Sequence, residues 1–156
     1  WPGRSLDRIN WSGAELVLSA AHNSESLSHD LGRLGSERHV LVVGLTQKED
    51  LSESIEPLLH SEGRVQTIVT EVHGGRSPSV PAEHLLEHLS VDSEESPIIM
   101  TEPIQAIDNA SRIASEEGCI VYVTGSVYLV GQAIEEIVSR EGRDLWKYLE
   151  AHPPRM

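Results

Sequence analysis

Short apolar runs that alternate with amphipathic segments place the tightest limit on what this chain can fold into. Five such runs, most of them rich in Val and Ile, lie at residues 15–18, 39–45, 65–70, 97–100 and 119–123. Runs of this length with almost continuous apolarity are typical of strands that are covered on both faces of a sheet. The sequence therefore predicts five buried strands.

The segments between these runs carry apolar residues at helical spacing, which would bring those residues onto one face of a helix. Clear stripes occur at positions 51, 55, 58 and 59, at 85, 86 and 89, at 104, 107, 110, 113 and 114, and at 127, 130, 133, 134 and 137, with a weaker one at 27, 31 and 34. Strands that alternate with helices are joined as parallel neighbours by right-handed crossovers. The predicted fold class is therefore α/β, an open, doubly wound and mainly parallel sheet with flanking helices.

The length of 156 residues suits one domain with one core. The sequence shows no internal repeat and no convincing domain boundary, so residues 1–156 are interpreted as a single domain. Two loops, at 71–80 and 91–96, are long, and a last short helix is predicted at 143–148. The chain begins with Trp1 in place of Met, so we expect it to be a fragment of a longer protein.

The net charge of −13, from 25 acidic and 12 basic residues, opposes binding to nucleic acid or to an anionic membrane surface. Acid clusters such as the one at 28–30 are interpreted as solvated helix faces. No apolar run approaches the length that crosses a bilayer, and no signal or transit segment is visible. The single cysteine, Cys119, excludes an internal disulfide framework and a cysteine metal cluster, so a reducing cytoplasm is the expected location.

Polar residues follow the predicted strands at the end where ligands bind in open α/β sheets. The first strand is followed by residues 19–23, the second by 44–48, the third by the Gly-Gly-Arg loop at 74–76, and the last by 124–126. Because the carboxyl ends of parallel strands meet at one edge, we expect four side chains of these loops to share that edge: His22, Lys48, Arg76 and Ser126.

Ser126 allows two interpretations. Gly125 permits a tight turn before it, and Ser126 can cap the next helix or leave the helix N–H groups facing an anion. A serine nucleophile is disfavoured because the Gly-x-Ser-x-Gly elbow is missing. A dinucleotide fingerprint and a P-loop are also missing, so this chain alone should not bind ATP as P-loop proteins do.

The segment from His84 to His88 matches His-x-x-Glu-His, the pattern of inverted zinc proteases, and its spacing puts both imidazoles on one helix face. Five-residue patterns arise by chance, and no downstream third ligand is evident. We therefore interpret these residues as two exposed histidines of an amphipathic helix and predict no metal site.

Four short motifs, in the right order and at the right strand ends, resemble one known family: "WPGR" at 1–4, "AHN" at 21–23, "GLTQKED" at 44–50 and "VYVTGSVYLVG" at 121–131. Together they are similar to the C-terminal domain of folylpolyglutamate synthase and dihydrofolate synthase, of the Mur ligase superfamily. The similarity runs from residue 1 to about 137. It implies a Rossmann-like, six-stranded sheet, with residues 1–14 as the interdomain connection and entry segment, and an N-terminal P-loop ATPase domain before Trp1.

The resemblance also implies a reaction. In that family ATP phosphorylates a carboxyl group of a folate or dihydropteroate acceptor, and the amine of L-glutamate attacks the acyl phosphate to form an amide. ATP and Mg²⁺ would sit mainly on the N-terminal domain, so this chain by itself is expected to be inactive. A degenerate, non-catalytic domain used for binding or assembly is the alternative, and Mur-type peptidoglycan ligation is disfavoured by the Thr-Gly-Ser-Val-Tyr segment.

The resemblance assigns roles to single residues. Arg4 would meet the nucleotide or its phosphates, and Lys48 would offset phosphate or carboxylate charge. His22 is the catalytic candidate, because it could help to deprotonate the amine, and it would place L-glutamate together with Ser126. Three residues would support the site: Ser19, Asn23 and Gly125.

The chain departs from the family's Asp-Gly-Ala-His-Asn-Pro at three positions. Ser19 stands in place of the Asp and cannot replace its charge, which is the best support for the non-catalytic alternative. Ala20 stands in place of the Gly, so a left-handed backbone there would be strained. Ser24 stands in place of the Pro and can cap the following helix.

Overall fold

Six strands form one mixed sheet in the computed structural model, which describes residues 8–75, 77–89 and 96–141. The strands are β1 (Arg8–Trp11), β2 (Ala14–Leu18), β3 (His39–Val43), β4 (Arg64–Val69), β5 (Ile98–Ile99) and β6 (Ile120–Thr124). Their order across the sheet is β1-β2-β6-β3-β4-β5. Only the β1–β2 pair is antiparallel among these strands, which confirms the mainly parallel sheet.

Within the described residues, five helices flank the sheet: α1 (Ser24–Leu34), α2 (Leu51–Leu59), α3 (Ala82–Leu89), α4 (Pro103–Glu117) and α5 (Val127–Glu141). Alternate residues of the strands belong to two separate hydrophobic clusters. Leu16 and Leu18 pack with α4 and α5, whereas Val17 packs with α1, α2 and α3. Side chains of a strand alternate between its two faces, so the helices cover both faces and the predicted doubly wound α/β class is confirmed.

The predicted runs coincide with β2, β3, β4 and β6 to within one or two residues at each end. Every residue of β3 and β6 is buried, which explains their continuous apolar runs. The run at 97–100 yields only the two residues of β5 at the sheet edge, and the run at 39–45 is longer than β3 because the strand ends at Val43. The predicted helix at 143–148 lies outside the described residues.

β1 was missed by the five-run pattern and falls within the segment interpreted as an interdomain connection and entry segment. Its four residues alternate between exposed and partly buried positions until Trp11, and a strand that short at an edge leaves little apolar signal. Residues 8–11 pair in register with β2 and therefore belong to the sheet. The assignment of residues 1–14 as an interdomain connection and entry segment stays a prediction.

The three central strands end side by side. Leu18 of β2 is paired with Val123 of β6, and Val43 of β3 with Thr124 of β6. The chain leaves β2 towards α1 on one face and leaves β6 towards α5 on the other. Neighbouring strands whose connections diverge in this way create a crevice at their carboxyl ends, where ligands of doubly wound folds bind. Among the described helices, none is both long and apolar enough to span a membrane.

Candidate functional site

A cavity of about 460 Å³ lies at the carboxyl ends of β2 and β6, and we call it the His22 cavity. Its lining comes from the loop after β2, from the first turns of α1 and from the first residue of α5: Ala20, Ala21, His22, Asn23, Ser26, Asp30 and Val127. It therefore occupies the crevice that the diverging connections create.

Hydrogen bonds fix the loop that carries His22. The Ser19 N–H donates to the Val123 carbonyl at 2.9 Å and extends the pairing of β2 with β6 by one residue. Asn23 is the N-cap of α1, where its side-chain oxygen accepts from the Ser26 N–H at 2.9 Å, and the Ser26 side chain completes a capping box. Ser12 is the one non-glycine residue with positive φ among the described residues, so Ala20 is free of the left-handed strain considered for it.

His22 is exposed and has a defined ring orientation. Its Nδ1 lies 3.1 Å from the Ala20 carbonyl oxygen, which can only accept a hydrogen bond. The bond therefore places the proton on Nδ1 and leaves Nε2 with a free lone pair, as a proton acceptor requires.

Ser126 is buried, with 3% of its surface exposed, and it caps α5. Its Oγ accepts a hydrogen bond from the Tyr128 N–H at 3.1 Å, so the capping interpretation describes its local role. The Gly125 N–H donates to the Ala21 carbonyl at 3.1 Å and joins this turn to the His22 loop. The two predicted residues thus sit on adjoining loops, although Val127 and not Ser126 lines the His22 cavity.

Asp30 is a site residue that the sequence interpretation missed, because it was assigned to a solvated helix face. Only 13% of its side chain is exposed, and its carboxylate accepts a hydrogen bond from the Ser19 hydroxyl. A signal was present in the spacing of Asn23, Ser26 and Asp30, which brings three polar side chains onto one side of the first turns of α1. The acid is therefore part of the cavity and is not a free surface charge.

A buried group of hydroxyls lies beneath Asp30. Ser19 is fully buried, and its Oγ accepts from the Ala21 N–H at 3.2 Å and from the Thr124 hydroxyl at 3.4 Å. Burial raises the pKa of the Tyr122 phenol, while the neighbouring hydroxyls of Ser19 and Thr124 act in the opposite direction. Tyr122 therefore stays neutral at physiological pH and adds no charge to this group.

Lys48 lies in a second and larger cavity, of about 540 Å³, which we call the Lys48 cavity. The lining comes from residues 47–53 together with Val80, Pro81, His84 and His88. Burial lowers the pKa of the Lys48 ammonium group, which makes an anionic partner more favourable there. Lys48 thus shares the carboxyl edge of the sheet with His22, but the two residues line different cavities.

His84 and His88 face the Lys48 cavity with their ring centroids 5.2 Å apart, and His88 Nδ1 lies 3.2 Å from the Ser52 hydroxyl. Within the described part of the chain, no group of three metal-ligating side chains is close enough to hold an ion. Two imidazoles without a third ligand match none of the common protein zinc sites. Arg4 and Arg76 lie outside the described residues, so their predicted roles stay predictions.

The His22 cavity does not suit the phosphates of a nucleotide. Of its described lining residues, one is a carboxylate and none is Lys or Arg. The half-buried Lys48 is a better match for an anion, but the residues around it include Glu49, Asp50 and Glu53. This chain therefore shows no complete nucleotide site of its own among the described residues.

Comparison with known proteins identifies similar sequences and folds. The sequence model of a family described as dihydrofolate synthetase, C-terminal domain, matches residues 4–136. Among curated protein sequences the comparison found no significant match.

Several solved structures share the fold. E. coli FolC in complex with ADP is 24% identical with a TM-score of 0.71, and the match covers 91% of this chain and 33% of that one. Folylpolyglutamate synthase from Thermotoga maritima is 21% identical with a TM-score of 0.71, over 93% of this chain and 32% of that one. The bifunctional folylpolyglutamate synthase/dihydrofolate synthase from Yersinia pestis, complexed with AMPPNP and Mn ion, is 21% identical with a TM-score of 0.66, over 88% and 31%. The chain thus spans about one third of the length of these proteins.

Proposed function

This chain belongs to the family of dihydrofolate synthetase C-terminal domains, and on that premise we propose that it is the glutamate-binding part of an ATP-dependent amide ligase. The acceptor would be a folate or a dihydropteroate, and an N-terminal ATPase domain of the same protein would complete the active site. The observation that carries the proposal is the position of the His22 cavity within the matched segment, at the crevice where doubly wound folds bind their ligands.

Bound ATP and Mg²⁺ would supply the phosphoryl group that activates the acceptor's carboxyl group as an acyl phosphate. The residues of this chain would then act on the amino acid. The ammonium nitrogen of L-glutamate would lose one proton to His22 Nε2 and form the C–N bond with the acyl carbon. The C–O bond between the acyl carbon and the phosphate would then break, and inorganic phosphate would leave with the second proton of the nitrogen. His22 suits this role because its other nitrogen is held by the Ala20 carbonyl, so the free lone pair is on Nε2.

Arg4 and Lys48 would neutralise phosphate or carboxylate charge. Support for Lys48 is its desolvated ammonium group at the carboxyl edge of the sheet. Ser126 would help to place L-glutamate at the N-terminus of α5. Its hydroxyl oxygen accepts a hydrogen bond from the Tyr128 N–H, which leaves its hydroxyl proton available to donate to the ligand.

The non-catalytic alternative has one observation in its favour. Ser19, in place of the family's Asp, is fully buried and cannot touch a ligand in the cavity. A binding or assembly domain would tolerate that change, whereas a ligase needs the lost negative charge to come from elsewhere.

An assay of the full-length protein that contains this chain distinguishes between the two functions. The experiment measures ADP release with Mg²⁺-ATP and either dihydropteroate or a reduced folate, with and without L-glutamate. A ligase releases ADP only when acceptor and L-glutamate are both present, and the product gains one glutamate by mass. ADP release that is independent of L-glutamate, or no ADP release with either acceptor, would support the non-catalytic alternative.

A further inference from the structure

We propose that Asp30 binds the amino group of the incoming amino acid in the His22 cavity and so selects ligands that carry a free amine. The inference rests on the proposed function and adds a ligand-binding residue to it. It also gives two residues of the cavity different roles: the carboxylate of Asp30 binds the amine, and His22 receives the proton.

The charge of the cavity favours a cation. Asp30 is the only acidic side chain among the seven described residues that line the cavity, and none of these seven is Lys or Arg. His22 can donate from Nδ1, but that proton is directed at the Ala20 carbonyl. An ammonium group entering the cavity would therefore meet a carboxylate with no Lys or Arg beside it among the described lining residues.

The Asp30 carboxylate is held in place and lacks a permanent counter-charge. Ser19 Oγ accepts two hydrogen bonds, from the Ala21 N–H and from the Thr124 hydroxyl, so its own proton is directed to Asp30 Oδ2. The other oxygen, Oδ1, lies 3.5 Å from His29 Nδ1, a ring that is 71% exposed. No Lys or Arg pairs with Asp30 among the described residues. A carboxylate with 13% of its side chain exposed gains from a cationic ligand.

The buried serine has a defined part in this arrangement. Ser19 is fully buried and reaches no ligand itself, but it orients the carboxylate of Asp30 towards the loop that carries His22. Asp30 thus supplies negative charge at the edge where residue 19 contributes only a hydroxyl. Ser19 is a positioning residue and Asp30 is the ligand-binding residue.

The test compares two ligands in the full-length protein: L-glutamate, and glutarate, which has the same two carboxylates but no amine. Asp30→Asn keeps the shape and the acceptor for the Ser19 hydroxyl but removes the charge. We expect the KM for L-glutamate to rise about ten- to a hundredfold, since a hydrogen bond to a charged group is lost. Inhibition by glutarate should be unchanged.

Glu25→Gln is the matched control, because it removes a carboxylate from the first turn of the same helix at an exposed position outside the cavity. It should leave both constants unchanged. An equal rise in the KM for L-glutamate and in the inhibition constant of glutarate for Asp30→Asn would show a merely structural role. An unchanged KM would also overturn the inference.

If the unaltered protein shows no glutamate-dependent ADP release, the proposed function fails by itself. The inference is then tested by calorimetric titration of the full-length protein with L-glutamate and with glutarate. A preference for the amine that Asp30→Asn abolishes supports the amine site even so. No preference, or no binding of either compound, overturns it.

Discussion

The backbone N–H of Gly125 donates a 3.1 Å hydrogen bond to the carbonyl oxygen of Ala21, so the loops that follow β2 and β6 are joined at their bases. One of these loops carries His22 and the other leads into the capped N-terminus of α5. The bond holds together the two loops that form the sides of the crevice. It therefore links the ends of β2 and β6 to the residues of the candidate site.

Gly125→Ala should destabilise the fold and distort this junction. Gly125 has φ of 114°, and a Cβ there would collide with the Gly44 carbonyl oxygen of the neighbouring loop. The backbone conformation alone costs about 1–3 kcal/mol for a residue with a side chain. Urea denaturation should show a lower free energy of unfolding.

The control for that substitution is Gly131→Ala in α5, where an added Cβ meets nothing within 4 Å. It should stabilise the helix by about 0.5–1 kcal/mol. Equal effects of the two substitutions would contradict the steric argument at Gly125.

Asn23→Ala should lower the free energy of unfolding by about 0.5–2 kcal/mol, since it removes the N-cap of α1. The lost contact is the 2.9 Å bond from the Ser26 N–H to the Asn23 side chain. Ser28→Ala, at an exposed position of the same helix, should cause no loss. If Asn23→Ala proves as stable as Ser28→Ala, the capping box contributes nothing to the fold.

Acid should weaken the contact among β1, α4 and α5. Burial raises the pKa of Asp108, but hydrogen bonds from Arg140 and from the Trp11 indole outweigh it, and the net pKa is lowered below its ordinary 3.8. A carboxyl group with a lowered pKa stabilises the fold above the ordinary value. This contribution is lost as the pH falls through the lowered pKa of the folded state.

The measurement is urea denaturation between pH 6 and pH 2.5. Asp108→Asn should be less stable than the unaltered chain at pH 6, and the difference should shrink at the acidic end. Glu116→Gln, which breaks an exposed ion pair with Arg112 on α4, should change stability little at either pH. A pH-independent deficit for Asp108→Asn would show that the charge of Asp108 is not the cause.

His22→Ala should reduce the kcat of the full-length protein with L-glutamate by about a hundredfold or more, because proton transfer by a positioned side chain contributes about that much. His60→Ala is the control, since the His60 side chain is 69% exposed at the C-cap of α2 and lies outside both cavities. Steady-state kinetics at saturating acceptor would separate the two. An unchanged kcat for His22→Ala would remove it from the reaction.

Several site residues could be located from sequence because they follow strands directly. His22, Asn23, Gly125 and Ser126 stand one to five residues beyond strongly apolar runs, so the topology rule for parallel sheets brought them to one edge. Asp30 could not be located in this way. It belongs to the second turn of α1, and only the tertiary packing of that helix brings its carboxylate to Ser19.

The sequence by itself determined the α/β class, the two-sided burial of the central strands and the edge at which polar residues gather. These follow from local periodicity, since a period near two or 3.6 residues decides which face of an element is apolar. Only the tertiary structure decided that β6 lies between β2 and β3, that β1 adds an antiparallel edge, and that His22 and Lys48 line separate cavities. Strand order depends on pairings between residues about a hundred positions apart, such as Leu18 with Val123, and no local pattern encodes them.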